Sequence, residues 1–162
     1  MDVKRMLRVL ENDPRISVRD LADIMGEDEE AVLRTKAQLE KDKIICGYHT
    51  VINWDKANTD HCSAVIQVSA RPQRDAGYDN IAMRIARFSE VTSLYLMSGG
   101  SEFLVMIEGR TMREISDFVA LKLAPLEGVT ATVTCFILKQ YKVEGVIMDA
   151  DRPADERKIV QP

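Results

Sequence analysis

Two cysteines and two histidines are the residues whose types could bind a metal ion. Cys46, His49, His61 and Cys62 supply thiolate and imidazole groups, which are common zinc ligands, within a short span. Residues that are adjacent or three apart in an extended chain point to opposite faces, so this spacing argues against a shared site. We expect no metal site. The three cysteines, which include Cys135, are expected to be buried thiols in a reducing compartment.

The composition excludes several classes of protein. The sequence has 162 residues, 46% of them apolar and 6% aromatic, and a net charge of -4. The few aromatic residues argue against a stacking surface for single-stranded nucleic acid. Apolar runs fall short of the roughly 20 residues that span a bilayer, and the first residues lack the pattern of a secretory signal, so we expect a cytoplasmic protein. No phosphate-binding loop, nucleophile–base pair or carboxylate dyad occurs, and we expect no enzymatic activity.

Three short helices are predicted in the first sixty residues. Apolar residues recur at helical spacing over Val3–Leu10. Ser17 followed by Asp20 resembles a capping box, and the helix that it starts stops at Gly26. Asp28 can cap a third helix, which extends from Glu29 to about Lys41 and is expected to bury one face. The residues of that face are Ala31, Val32, Thr35 and Leu39.

A strand is predicted over residues 44–52, after the third helix. Three helices with a glycine-containing turn before the third and a strand after it are typical of a winged helix-turn-helix, a DNA-binding unit. The alternative is a small helical domain that binds no DNA.

The start of the third helix is the part that approaches base edges in a helix-turn-helix, and here it is acidic. Glu27, Asp28, Glu29 and Glu30 would weaken binding to phosphates, although Asp28 can cap and acids suit a helix N-terminus. A carboxylate also accepts from cytosine N4, which gives Glu29 or Glu30 a base-reading role. The candidate DNA-contacting residues are Arg15, Ser17, Arg19, Asp28, Glu29, Glu30, Leu33, Arg34, Lys36 and Lys41.

The second half predicts the order βαββαβ, a ferredoxin-like plan with both helices on one side of an antiparallel sheet. The predicted elements are a strand over Cys62–Ala70, a helix over Tyr78–Phe88, strands over Val91–Met97 and Phe103–Ile107, a helix over Met112–Leu123 and a strand over Val129–Tyr141. The fold class is therefore α+β. The expected organisation is a helix-turn-helix domain (1–53), a linker (54–60), a ferredoxin-like domain (61–142) and a C-terminal extension (143–162).

The pattern of the last strand predicts which of its residues face the helices and which face the open side of the sheet. Its apolar set is expected to face the helices, namely Val129, Ala131, Val133, Cys135 and Ile137. Thr130, Thr132, Thr134, Phe136 and Leu138 then point to the open face. Since Phe136 and Leu138 would be exposed there, we expect a dimer formed through this face; the alternative is an exposed, half-polar face.

Two motifs resemble one family. The stretch from Asp13 to Tyr48 (DPRISVRDLADIMGEDEEAVLRTKAQLEKDKIICGY) resembles the helix-turn-helix of the leucine-responsive regulator and AsnC family, the feast/famine regulators. The second half is similar to the effector-binding module of that family. Its T-G-x-x-D loop corresponds to Ser98, Gly99, Gly100, Ser101 and Glu102, and its threonine-containing last strand to Thr132 and Thr134.

The resemblance implies a transcriptional regulator that binds double-stranded promoter DNA and an amino-acid effector. In the family these two elements border an amino-acid pocket between dimers, which assemble into tetramers or octamers. Glycines expose N–H groups to a carboxylate, an acidic side chain attracts an ammonium, and threonine hydroxyls donate or accept. Without the resemblance, Gly99-Gly100 would simply be a hairpin turn. The alternative function is a metabolite-sensing or assembly protein whose degenerate helix-turn-helix has little DNA affinity.

The negative charge lies mainly in the domain expected to meet DNA. Residues 1–60 carry a net charge of -3, residues 61–142 carry +1 and residues 143–162 carry -2. Val143–Met148 is expected to add an edge strand or a helical turn, and the rest of the extension is expected to be flexible.

Overall fold

A computed structural model describes residues 1–74 and 77–149. The chain divides into two compact units, Met1–Val51 and a second unit that begins at Ile52. No helix within the described ranges is long and apolar enough to cross a membrane.

The first unit consists of three helices: α1 (Val3–Asn12), α2 (Val18–Met25) and α3 (Glu29–Lys41). One apolar stripe from each helix packs into a common core. The buried residues of that core are Met6, Leu10, Leu21, Ala22, Val32 and Leu39. Val3, which was expected on the stripe of α1, is exposed. Ala31 and Thr35 are only half-buried.

The predicted boundaries of α2 are confirmed by its caps. The Ser17 hydroxyl accepts from the backbone N–H of Asp20 at 3.0 Å and donates to the Asp20 carboxylate at 2.6 Å. Gly26 ends the helix at φ 67°, in the left-handed region that glycine enters without a Cβ penalty. Both ends of α2 are therefore fixed by local chemistry.

The strand predicted over residues 44–52 is absent from the structure. A strand requires hydrogen bonds to a neighbouring strand, and the first unit contains none to supply them. Instead the N–H groups of Ile44 and Ile45 both donate to the Leu39 carbonyl, which closes the end of α3. The wing expected from the sequence is thus not formed within this unit.

The second unit contains a four-stranded antiparallel sheet with the strand order β2-β3-β1-β4. Its elements are α4 (Trp54–Ala57), β1 (Cys62–Ala70), α5 (Asp79–Ala86), β2 (Val91–Leu96), β3 (Phe103–Gly109), α6 (Met112–Phe118), a π-helical turn (Val119–Leu123) and β4 (Val129–Phe136). Buried residues of β1 and β3 pack against those of α5 and α6 on one face of the sheet. The predicted βαββαβ order is confirmed.

The last strand is shorter than predicted, and its two faces are exchanged. β4 ends at Phe136, where it pairs with Ala64, and only Ile137 continues the ladder, by one hydrogen bond to Ser63. Phe136 and Ala64 lie on the same side of the sheet because directly paired residues share a face. Since Ala64 is buried in the core, Phe136 faces the helices.

A β-bulge explains the exchange. Ala70 pairs with Val129 but Ser69 pairs with Ala131, so Thr130 is an extra residue in β4 and reverses the alternation there. The prediction that Ala131, Val133 and Cys135 face the helices is therefore wrong, as is the placement of Thr132, Thr134 and Phe136 on the open face. Leu138 lies beyond the strand and is 89% exposed.

The extension after β4 begins with a small hairpin. β5 (Lys142–Val143) pairs with β6 (Val146–Ile147), so the expected edge strand is a two-stranded hairpin of its own. Met148 behind it is buried, and the Asn53 side-chain amide donates to the Met148 carbonyl at 2.7 Å. Residues 150–162, where a flexible tail was expected, lie outside the described residues.

Candidate nucleic-acid interface and effector site

The solvent-facing side of α3 is the surface that a major groove would meet. Val32 and Leu39 hold the opposite side of the helix in the core of the first unit. The exposed residues of α3 are Glu29, Glu30, Leu33, Arg34, Ala37, Gln38 and Lys41. Their spacing forms one continuous stripe, acidic at the start of the helix and basic at its end.

Asp28 and Glu27, the two acidic residues just before α3, are held by contacts within the first unit. The Asp28 carboxylate accepts from the N–H of Ala31 at 2.8 Å and so caps the helix. The Glu27 carboxylate lies 3.0 Å from the amino group of Met1. These contacts explain part of the acidity through local structure rather than DNA contact.

Glu29 and Glu30 differ in how they are held. Glu30 forms an exposed ion pair with Arg34, one turn later, at 3.5 Å. Glu29 is exposed and has no hydrogen-bond or ion-pair partner in the first unit. Glu29 is therefore the carboxylate most available to a ligand at this end of α3.

The predicted phosphate-contacting residues fall into two groups. Arg15, Arg19, Arg34 and Lys41 are exposed, as such contacts require. Lys36 is half-buried, with its ammonium 5.2 Å from the centre of the Tyr48 ring, so it is held by a cation–π contact. The exposed Ser17 hydroxyl is already committed to the cap of α2.

Tyr48 organises the segment that leaves α3, and sequence analysis did not single it out for this role. Its hydroxyl donates to the Glu40 carboxylate at 2.7 Å while its ring carries Lys36. Partial desolvation of the hydroxyl and this hydrogen bond raise the pKa of Tyr48 to about 12. The aromatic residue thus ties the exit segment to two turns of α3.

We expect this elevated pKa to appear as a late tyrosine transition on alkaline titration. Phenol ionisation breaks the hydrogen bond to Glu40, so the stabilisation is present below the ordinary pKa of 10.0 and is lost as the pH rises through about 12. Ultraviolet absorbance would follow the titration, and Tyr48→Phe should remove the late step. A Tyr48→Phe profile identical to that of the wild type would contradict the assignment.

The loop between β2 and β3 contains the five residues predicted to bind an effector. Its glycines, Gly99 and Gly100, are exposed together with Ser98, while Ser101 is half-buried. The Glu102 carboxylate turns inward and accepts from the N–H of Ala70 at 2.7 Å. Glu102 therefore satisfies the backbone of β1 beside the bulge in β4 with one oxygen and retains acceptor capacity on its carboxylate.

The predicted threonines lie at the same end of the sheet as this loop. Thr132 pairs with Val68 of β1, and Val68 also pairs with Phe103, the residue after Glu102. Thr134 lies two pairs further from the loop, opposite Ile66. Both threonines are half-buried on the helix-facing side. The fold thus brings the two predicted effector elements to one end of the second unit, on either side of β1.

A cavity of about 320 Å³ opens at the other end of the same sheet. Its floor contains Ile107, Ile115 and Phe118, with the exposed Leu121 at the rim. The Lys122–Glu90 ion pair is part of its wall, and the hydrogen bond from Lys122 lowers the pKa of Glu90. The cavity shares no residue with the loop between β2 and β3, so it is a separate place for a small molecule.

The open face of the sheet is more apolar than the sequence predicts. The exchange of faces in β4 places Val133 and Cys135 there, beside Val65 of β1. Leu104 and Met106 of β3 continue the patch. Val133 is 55% exposed, and Phe136 is absent from this face because it packs on the core.

The cysteines and histidines form no metal site in the described part of the chain. His61 stacks on Trp54, with ring centroids 5.0 Å apart, and the Cys46 thiol donates to the Lys43 carbonyl at 3.0 Å. Cys46 and Cys135 are exposed, so the expectation of buried thiols is wrong; Cys62 is half-buried. Cys135 faces outward because of the bulge in β4.

Comparison with known sequences identifies close relatives over nearly the whole chain. The Lrp/AsnC ligand binding domain matches residues 63–147. The HTH-type transcriptional regulator YugG of Bacillus subtilis (strain 168) is 37% identical over 158 residues, 97% of this chain and 95% of the relative. The leucine-responsive regulatory protein of Rhizobium meliloti (strain 1021) is 30% identical over 138 residues, 85% of this chain and 88% of the relative.

Solved structures share the fold. The transcriptional regulator NMB0573 of Neisseria meningitidis, in complex with L-Met, is 25% identical with a TM-score of 0.68, covering 90% of this chain and 94% of that one. The leucine response regulatory protein LrpA of Mycobacterium tuberculosis is 22% identical with a TM-score of 0.74, covering 89% and 96%. The predicted fold class, a helix-turn-helix followed by a ferredoxin-like domain, is confirmed.

Proposed function

The chain belongs to the Lrp/AsnC family of helix-turn-helix transcriptional regulators, and we propose that α3 binds promoter DNA while the second unit binds an amino acid that alters this binding or the assembly. The observation that carries the proposal is the free outer stripe of α3 on a unit whose core and caps are complete. A helix held from behind in this way presents its outer side chains to a major groove.

Contacts with phosphates supply most of the affinity in this account. Arg15, Arg19, Arg34 and Lys41 are exposed cations on or next to the two helices of the motif, and Lys36 is held nearby on Tyr48. Each phosphate contact releases counterions, so affinity should fall steeply as salt increases. Equilibrium binding to a duplex from the region upstream of the gene, at about 50 and about 150 mM salt, tests this; absence of binding at both would overturn it.

The effector site proposed here is the loop between β2 and β3 with the threonines of β4. N–H groups near Gly99 and Gly100 would bind a ligand carboxylate, and Glu102 would bind its ammonium. Thr132 and Thr134 would approach the ligand from β4. The L-Met complex of NMB0573 supports an amino acid as the ligand class.

Two replacements of Glu102 separate its structural role from its proposed binding role. Glu102→Gln keeps an acceptor for the Ala70 N–H but loses the negative charge. We expect near wild-type stability and loss of the thermal shift that an amino acid produces, because a ligand that binds only the folded form raises stability. Glu102→Ala should in addition cost about 1–3 kcal/mol, because it leaves a partly buried N–H unpaired.

The measurement is a thermal-shift screen of the amino acids, L-Met first, with Glu127→Gln as the matched control on an exposed ion pair. The control should retain the full ligand-induced shift. A normal shift in Glu102→Gln together with its loss in Leu121→Glu, at the rim of the 320 Å³ cavity, would move the effector site to that cavity.

We further propose a homodimer formed through the open sheet face, with Val65, Leu104, Met106, Val133 and Cys135 at its centre. These residues replace Phe136, which lies in the core, while Leu138 stays a candidate at the periphery. A dimer would present two α3 helices to successive major grooves, about 34 Å apart. Dimers would join into tetramers or octamers near the effector loops.

A second candidate function follows from the acidic start of α3. Glu29 and Glu30 are exposed and would face phosphates. If their repulsion prevents docking, the first unit serves protein contacts and the chain is a metabolite-sensing assembly protein. The replacement of both residues, argued in the Discussion, distinguishes this candidate from DNA binding.

A further inference from the structure

Leu33 is an apolar residue in the middle of the stripe that would meet DNA. Its side chain is 49% exposed, on the turn of α3 after Glu29. It belongs neither to the core of the first unit nor to the partly buried residues packed against it. Single exposed leucines are ordinary on protein surfaces, so exposure alone does not decide its role.

The residues around Leu33 on α3 indicate which groups of a ligand it suits. Ala37, one turn later, is also exposed, so the middle of the stripe is apolar while its edges are charged. Arg34 pairs with Glu30, which leaves Glu29 as the unpaired acceptor beside Leu33. An apolar side chain next to an unpaired carboxylate fits base edges that present a methyl group and an amino donor. The same carboxylate would repel guanine, whose edge presents the acceptors O6 and N7.

We propose that Leu33 contacts the 5-methyl group of a thymine in the major groove and that Glu29 accepts from N4 of a nearby cytosine. This inference rests on the proposed DNA binding and assigns its base preference. Residues four apart lie about 6 Å apart along a helix axis, and base pairs rise about 3.4 Å, so the two bases are one or two steps apart. Glu29 therefore contributes to specificity although it reduces general affinity for phosphates.

The methyl group provides a test that leaves the rest of the duplex unchanged. Each thymine of the bound duplex would be replaced in turn by deoxyuridine, which lacks only the 5-methyl group. We expect one position per half-site to weaken wild-type binding about fourfold, the equivalent of one buried methyl group. Leu33→Ala should bind the thymine duplex about fourfold more weakly and should be insensitive to deoxyuridine at that position.

Glu29→Gln tests the second contact. A glutamine side chain pairs with N6 and N7 of adenine, so the preferred base at that position should change from cytosine to adenine in a selection from randomised duplexes. Leu121→Ala, an exposed leucine of the second unit, is the control and should bind like the wild type. Circular dichroism checks that Leu33→Ala is folded. We expect a folded protein because shortening an exposed side chain leaves no cavity in the core.

The outcomes separate the two proposals. Wild-type binding that no thymine-to-deoxyuridine replacement weakens by more than twofold would overturn the role of Leu33 and leave DNA binding intact. A deoxyuridine effect that persists in Leu33→Ala would also overturn it, because another residue would then contact the methyl group. Absence of binding to every duplex would overturn the proposed function and this inference together.

Discussion

Replacing Met106 with lysine is expected to convert the proposed dimer to a monomer. Met106 lies on the open face of β3, one of the two central strands, between Val65 of β1 and Ser93 of β2. In a dimer formed through this face a lysine would be buried without a partner, twice for each dimer. An unpaired buried charge costs several kcal/mol, so we expect about a thousandfold weaker dimerisation.

Leu121→Lys provides the matched control for this experiment. Leu121 is 75% exposed and lies in the π-helical turn after α6, on the helix side of the sheet. The same change of side chain there should leave the mass measured by sedimentation or light scattering unchanged. Dimers of normal stability in Met106→Lys would show that the open face is not the interface.

Loss of the dimer should also weaken DNA binding by more than the loss of one contact. Two linked α3 helices bind two half-sites with an effective concentration set by the link, and a monomer lacks that advantage. We expect Met106→Lys to lose about a hundredfold or more in affinity for a two-half-site duplex. Its affinity for one half-site should stay close to that of the wild type.

Replacing both Glu29 and Glu30 with serine is expected to raise affinity for DNA of arbitrary sequence about thirtyfold at low salt. Each carboxylate near a phosphate costs roughly 1 kcal/mol in a water-like dielectric, and the replacement removes two. Arg34, freed from its ion pair with Glu30, also becomes available to a phosphate. The gain should shrink at physiological salt because screening weakens the repulsion that was removed.

The control for this change is Glu40→Gln, which removes a carboxylate on α3 that is bonded to Tyr48. It should alter DNA affinity much less than the serine pair, because Glu40 is not part of the exposed stripe. Unchanged DNA affinity in the folded double-serine variant would favour the metabolite-sensing assembly protein, since α3 would then not dock on DNA.

Local chemistry explains which parts of the fold were predictable. Ser17, Gly26 and Asp28 each satisfy a helix terminus by themselves, so the helix boundaries follow from the sequence. The βαββαβ order also follows from local patterns, because polar and apolar residues alternate in the strands and apolar residues recur at helical spacing in the helices. The fold class followed from these patterns, and the family from the resemblance of two motifs to known regulators.

The faces of β4 could not be predicted because they depend on a partner strand. Val129, Ala131, Val133 and Cys135 alternate as one apolar set, which normally marks a core face. Thr130, the extra residue at the bulge, turns Ala131, Val133 and Cys135 outward, and that bulge exists only in the pairing with β1. When both faces of a sheet carry apolar residues, alternation alone does not identify the core.

The sequence offers candidate site residues by their type, but it does not show which contacts they already make within the fold. Glu102 was expected to offer its carboxylate to a ligand, and the sequence gives no sign that one oxygen already accepts from Ala70. Likewise the sequence does not show that the Tyr48 ring contacts the ammonium of Lys36. These contacts join residues that only folding brings together, so they are seen in the structure and not in the sequence.

The most direct test of a regulated DNA-binding protein is one titration performed with and without its effector. Fluorescence anisotropy of a duplex from the region upstream of the gene would be measured at about 50 and about 150 mM salt, with and without the amino acid found by thermal shift. We expect saturable binding that weakens with salt and an affinity that changes several-fold with the amino acid. Absence of binding at both salt concentrations, by a protein whose fold and dimer are intact, would contradict the account.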